Sequence, residues 1–130
     1  MRILLDTNVV LALALDAMAL RDEVIEQLRA DSTTLVLSVI TPWEVAIKWR
    51  LGKLPLPEHP QQWTSRLVRE FGVSVLPVNL AHVTAVADLP THHGDPFDRL
   101  LIAQAQVEGV PIVTADRSFG RYDVEVIAAR

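Results

Sequence analysis

Short apolar runs alternate with helix-length segments along this chain, and nothing between them encodes a hairpin. Ile3–Leu5, Leu35–Ser38, Val73–Val78 and Val110–Val113 are the runs, each read as a strand. Strands separated by helices rather than by tight turns predict a parallel sheet with right-handed crossovers. Val124–Ile127 adds a short edge strand.

Glycine, proline and small polar residues punctuate the helices. Thr7 or Asn8 is the expected cap of a helix through Val9–Leu15, which is apolar on every side and therefore expected to be buried or to meet a partner. Arg21–Ala30 is amphipathic, with Val24, Ile25 and Leu28 facing inward. Thr41 as N-cap, Pro42 at the first helical position and Glu44 two residues on open a helix that stops at Gly52. Leu54–Pro60 is a proline-rich loop, Gln61–Phe71 a helix closed by Gly72, and Ala81–Leu89 a helix of small residues. Asp95 and Pro96 launch the last long helix, Phe97–Glu108, which Gly109 terminates.

A chain of 130 residues fits one domain, here 1–130, without repeats or an internal linker. Its 50% hydrophobic and 22% charged content excludes a disordered or fibrous chain. The absence of cysteine excludes disulfides, thiolate metal sites and cysteine nucleophiles, and suits a reducing cytoplasm. Arg2 is the only basic residue at the start and Asp6 cuts the first apolar stretch, so no signal peptide is expected; Val9–Leu15 is too short to span a bilayer.

Four acids stand where strands end or helices begin: Asp6 after Ile3–Leu5, Glu44 after Thr41-Pro42-Trp43, Asp98 after Asp95-Pro96-Phe97, and Asp116 after Ile112–Ala115. In an open α/β sheet such positions converge on one crevice. Like charges brought to about 4 Å repel by roughly 4 kcal/mol per pair at an effective dielectric near 20. A hard divalent cation relieves that repulsion, so Mg²⁺ or Mn²⁺ on oxygen ligands is expected. The net charge of −4 is accounted for by these four acids, leaving the rest of the chain balanced. That balance argues against tight nonspecific duplex binding and leaves room for metal-assisted engagement of a phosphate backbone.

Each acid has a structural alternative. Glu44 completes a Thr41-x-x-Glu44 capping box, Asp98 repeats that layout behind Asp95, and both suit the helix dipole. Asp116 can open a turn toward Ser118 and Gly120, and Asp95 reads as a helix cap. Asp6, at the end of the central strand, needs a partner or a metal. Thr7, Asn8, Ser38, Asp95 and Thr114 are small polar neighbours able either to hold carboxylate rotamers or to cap turns. His92 and His93 are adjacent in a loop and do not easily converge on one ion, so the ligand reading is set aside for both; His59 and His82 give no signal. Trp43, Trp49 and Trp63 read as core or interface residues, and Lys48, Arg50, Lys53 and Arg99 as solvated charges or phosphate contacts.

Four segments together resemble the PIN-domain ribonucleases, specifically the toxin half of VapBC-type toxin–antitoxin pairs. They are Leu4–Asn8, Ser38–Glu44 running into Lys48–Leu54, His93–Ala105 and Val113–Asp116, and the block from His93 to Ala105 is the most specific. The resemblance covers essentially the whole chain. It implies a three-layer fold whose four- or five-stranded, mainly parallel sheet is flanked by helices. It also implies a Mg²⁺ or Mn²⁺ site on Asp6, Glu44, Asp98 and Asp116, a homodimer, and a cognate antitoxin whose tail enters the active-site groove. The expected function is then a cytoplasmic, metal-dependent endoribonuclease acting as a toxin on RNA. Three alternatives stand beside it. A structure-specific DNA nuclease would need a domain for gripping duplex. A phosphoacceptor module would need a late strand-end lysine where this chain has Thr114-Ala115-Asp116. A binding domain with a vestigial pocket would not need all four acids.

Overall fold

The computed structural model describes all 130 residues. In chain order it contains β1 (Arg2–Leu5), α1 (Thr7–Leu15), α2 (Asp22–Arg29), β2 (Thr34–Ser38), α3 (Ile40–Arg50) and α4 (Pro60–Phe71). There follow β3 (Ser74–Leu76), α5 (Leu80–Ala85), α6 (Pro96–Glu108), β4 (Ile112–Thr114) and β5 (Val126–Ala128). Short 3₁₀ turns occupy Ala17–Ala19, Val86–Asp88 and Arg117–Arg121.

All four strand pairings are parallel, in the order β3-β2-β1-β4-β5. The chain starts in the middle of the sheet, builds outward through β2 and β3, then returns to the other side of β1 with β4. Ile3 lies opposite Leu35, and Leu5 opposite Val113. The reversal of strand order between β1 and β4 opens a crevice at the carboxyl ends of these two strands.

Alternation along the strands feeds two separate cores. Ile3, Leu5, Leu35 and Leu37 pack with Val9 and Val10 of α1, Val24 and Leu28 of α2, and Trp63 and Leu67 of α4. On the opposite face Leu4, Val36 and Ile112 pack with Leu101, Ile102 and Ala105 of α6. Helix α3 supplies Val45 to the first core and Ile40 to the second, and so is tied to both layers. The sheet is thus covered on both sides, a PIN-like three-layer α/β fold.

The helix starts differ from the sequence expectation in two places. Asp6, rather than Thr7 or Asn8, caps α1: its Oδ1 accepts the Thr7 amide at 2.8 Å. Helix α3 begins at Ile40 with no side-chain cap of its own, so the Thr41–Glu44 capping box does not form. Thr41 is fully buried and its hydroxyl pairs instead with the Thr7 hydroxyl at 3.1 Å. Ser38 makes the turn, its Oγ accepting the Ile40 amide at 3.1 Å. The α1 helix buries Thr7, Val9, Val10 and Ala12, while Leu15 is exposed, so it is not buried on every side. Gly72 and Gly109 close α4 and α6 in the left-handed region, at φ 59° and 64°, where a Cβ would be strained. No helix is long and apolar enough to cross a membrane.

A candidate metal centre at the carboxyl edge of the sheet

Asp6 leaves β1 directly into the crevice and is 3% exposed. A carboxylate buried to that depth needs compensation. Its Oδ1 takes the Thr7 amide and its Oδ2 takes the Thr114 hydroxyl at 2.8 Å, from the end of β4. The same Thr114 oxygen accepts the Asp116 amide at 3.0 Å, so one hydroxyl ties two acids together. Burial pushes the Asp6 carboxyl up to about 6, against the lowering effect of these hydrogen bonds and with help from the Glu44 and Asp116 charges.

Glu44 projects from the first turns of α3 and is 5% exposed. Because the capping box is absent, its carboxylate is free of the helix terminus. Oε2 forms an ion pair with Lys48 at 2.6 Å, and the bond to this carboxylate raises the lysine pKa. Oε1 is buried with no hydrogen-bond partner. An orphaned buried carboxylate oxygen costs free energy unless something positive meets it. Trp43 packs edge-on against Phe97, with centroids 4.8 Å apart, and so joins α3 to the start of α6 beside the two acids.

Asp98 lies in the first turn of α6, half-buried. Desolvation and the charges of Asp6, Asp95, Glu44 and Asp116 push its carboxyl up to about 7. That four acids act on it shows how strongly the negative charges are focused. Asp95 faces its own helix: Oδ1 accepts the Phe97 and Asp98 amides at 2.9 and 3.1 Å, as expected of a cap. Asp116 is exposed and caps the 3₁₀ turn after β4, its Oδ1 accepting both the Ser118 amide and hydroxyl. Asn8 is exposed beside Asp116 in a surface groove that Leu11 and Leu15 also line.

Of the expected supporting residues, Thr7 and Thr114 touch Asp6, whereas Ser38 and Asp95 serve backbone turns. Sequence reasoning took Thr41 for a helix cap and missed Tyr122, whose contacts arise only when distant segments meet, while the turn from Asp116 to Ser118 forms as expected. It also misjudged Arg99, which is spent on the loop before α6: it donates to the carbonyls of Leu89, Pro90 and His93. That loop carries His93 toward the acids. A ring nitrogen of His93 and carboxylate oxygens of Asp98 and Asp116 lie within 4.8 Å of one another. Clustered oxygens, an orphaned Glu44 oxygen and raised acid pKa values all fit a divalent cation.

The family model described as "PIN domain" matches residues 3–125. A ribonuclease of Mycobacterium tuberculosis named VapC16 is 37% identical over 70 residues; the match covers 54% of this chain and 48% of that relative. The chain thus spans about half the length of the curated relative it matches. The fold is also similar to chains in the crystal structure of VapBC2 from Rickettsia felis bound to a promoter DNA fragment, with TM-score 0.77, 17% identity and complete coverage of both chains. A VapBC-5 toxin–antitoxin structure from Mycobacterium tuberculosis aligns with TM-score 0.65 and 22% identity over 98% of each chain. With nearly its full length matched by that model, and the three-layer parallel sheet matching in space, the chain belongs to the PIN domain family.

Proposed function

We propose that the protein is a metal-dependent endoribonuclease acting as the toxin of a type II toxin–antitoxin pair. The observation that carries this reading is the buried, unpartnered Glu44 Oε1 among four mutually repelling acids from four separate segments. Asp6, Glu44, Asp98 and Asp116 would hold Mg²⁺ or Mn²⁺. Bound there, the ion would polarise a phosphodiester and lower the pKa of a water for in-line attack. Asp6 is held still by Thr7 and Thr114, and Asp116 by Ser118, so these ligands keep their orientation without the ion. Lys48 balances one Glu44 oxygen and leaves the other free.

Resemblance to the VapBC proteins supports an antitoxin partner, a homodimer and a cytoplasmic location. Exposed apolar side chains at Leu15, Met18, Trp43, Ile47 and Leu51 offer surface for such partners. The test is cleavage of RNA by the purified protein with Mg²⁺ or Mn²⁺. Products should carry a 3′-hydroxyl and a 5′-phosphate, and chelation or Asp6→Asn should abolish them. A 2′,3′-cyclic phosphate product, or undiminished cutting in excess chelator, overturns the reading.

A further inference from the structure

We propose that His93 is a nitrogen ligand of the same metal centre, biasing it toward Mn²⁺ and later first-row divalent ions over Mg²⁺. The proposal rests on the metal-dependent reading above and goes beyond its four carboxylates. Two rings from one loop do not easily reach a single ion, which argues against a paired role for His92 and His93. The structure separates them. His92 packs edge-on against Tyr122 at 5.0 Å, whereas His93 has a nitrogen in a cluster with Asp98 and Asp116.

Four observations single out His93. First, both of its ring nitrogens are buried and neither has a hydrogen-bond partner. An imidazole always carries at least one N–H, so this arrangement leaves a donor and an acceptor or two donors unpaid in a site with no other call on them. Second, the ligand atoms of His93, Asp98 and Asp116 lie within 4.8 Å of one another, while no His93 ion pair forms within 4.0 Å. Two ligands at about 2.1 Å on opposite sides of a small divalent ion stand roughly 4.2 Å apart, close to that spacing.

Third, the ring is held in place. It packs against Tyr122 at 5.4 Å and Phe119 at 6.2 Å, its amide donates to the Tyr122 hydroxyl at 3.4 Å, and Arg99 donates to its carbonyl. A ligand fixed by its neighbours loses little freedom on binding. Fourth, the donor set becomes mixed. Oxygen-only sites suit Mg²⁺, while an imidazole nitrogen favours transition ions.

The experiment uses the full-length purified protein loaded with Mn²⁺, read by pulsed electron paramagnetic resonance for directly bound ¹⁴N and by calorimetry for affinity. The expected result is a coordinated-nitrogen signal in wild type and Mn²⁺ binding at least tenfold tighter than Mg²⁺. His93→Ala should lose the nitrogen signal and at least tenfold in Mn²⁺ affinity, with Mg²⁺ affinity little changed. His92→Ala should keep both properties. If His93→Ala fails to fold, His93→Asp supplies an oxygen instead and should bind Mn²⁺ without the nitrogen signal. Mn²⁺ bound by wild type through oxygen alone overturns the proposal and leaves the nuclease reading standing. A nitrogen signal that survives both His93 substitutions also overturns it. Failure of wild type to bind any divalent ion removes the nuclease reading as well.

Discussion

Asp98 and Asp6 hold protons more tightly in the fold than their ordinary value of 3.8 would allow, at about 7 and about 6, chiefly because burial disfavours their charge. Over the interval between 3.8 and those values the fold keeps protons that the unfolded chain has released. Their contribution to stability is therefore complete below about 4 and is lost as pH rises through 6 to 7. We predict that the metal-free protein becomes easier to unfold from pH 4 to pH 8, and that Asp98→Asn flattens the slope. Denaturant midpoints measured across pH in chelator decide it; an equal slope in the variant refutes the assignment. Thr114 offers a second test, because its hydroxyl serves both Asp6 and the Asp116 amide. Thr114→Val keeps the volume and removes both bonds, so RNA cleavage should fall by roughly 10–100-fold, the range typical for residues that orient metal ligands. Unchanged cleavage by a folded variant counts against an orienting role.

Helix α6 depends on Asp95 for its start and on Gly109 for its end. Asp95→Ala should cost about 1 kcal/mol of stability through the lost cap, while metal affinity drops much less than in Asp98→Asn. Paired unfolding and titration curves would separate the two roles, and an equal loss of affinity in both variants would make Asp95 a ligand. This helix was legible in the sequence because proline, aspartate and glycine act locally and mark its boundaries. The strands were legible for a similar reason: their apolar runs stop at polar residues. Helix α3 was legible as well, but its cap was not, because Thr41 bonds Thr7, 34 residues away, instead of its own helix. The four acids could be expected at one edge from strand ends and helix starts taken together. His93 could not, since its position depends on Phe119, Tyr122 and Arg99 folding around its loop.

Metal binding should stabilise the entire three-layer fold, because its proposed ligands come from the end of β1, α3, α6 and the turn after β4. An ion at a hundred times its dissociation constant adds about 2.7 kcal/mol to unfolding, worth several degrees in Tm for a domain of this size. Thermal melts of wild type with Mn²⁺ should show that rise and Asp6→Asn should not; matched shifts in both would place the ion elsewhere. Both cores must persist for the ligands to meet. Ile102→Ala, at a fully buried position under the sheet, should cost about 2–5 kcal/mol and impair cleavage only through unfolding. The Thr114–Asp6 bond joins positions 108 residues apart, and β4, which lies beside β1, follows β1, β2 and β3 in the chain. On the nuclease reading proposed above, a nascent polypeptide would lack a complete acidic centre until synthesis had passed Asp116, so the transcript being read would be spared during that interval.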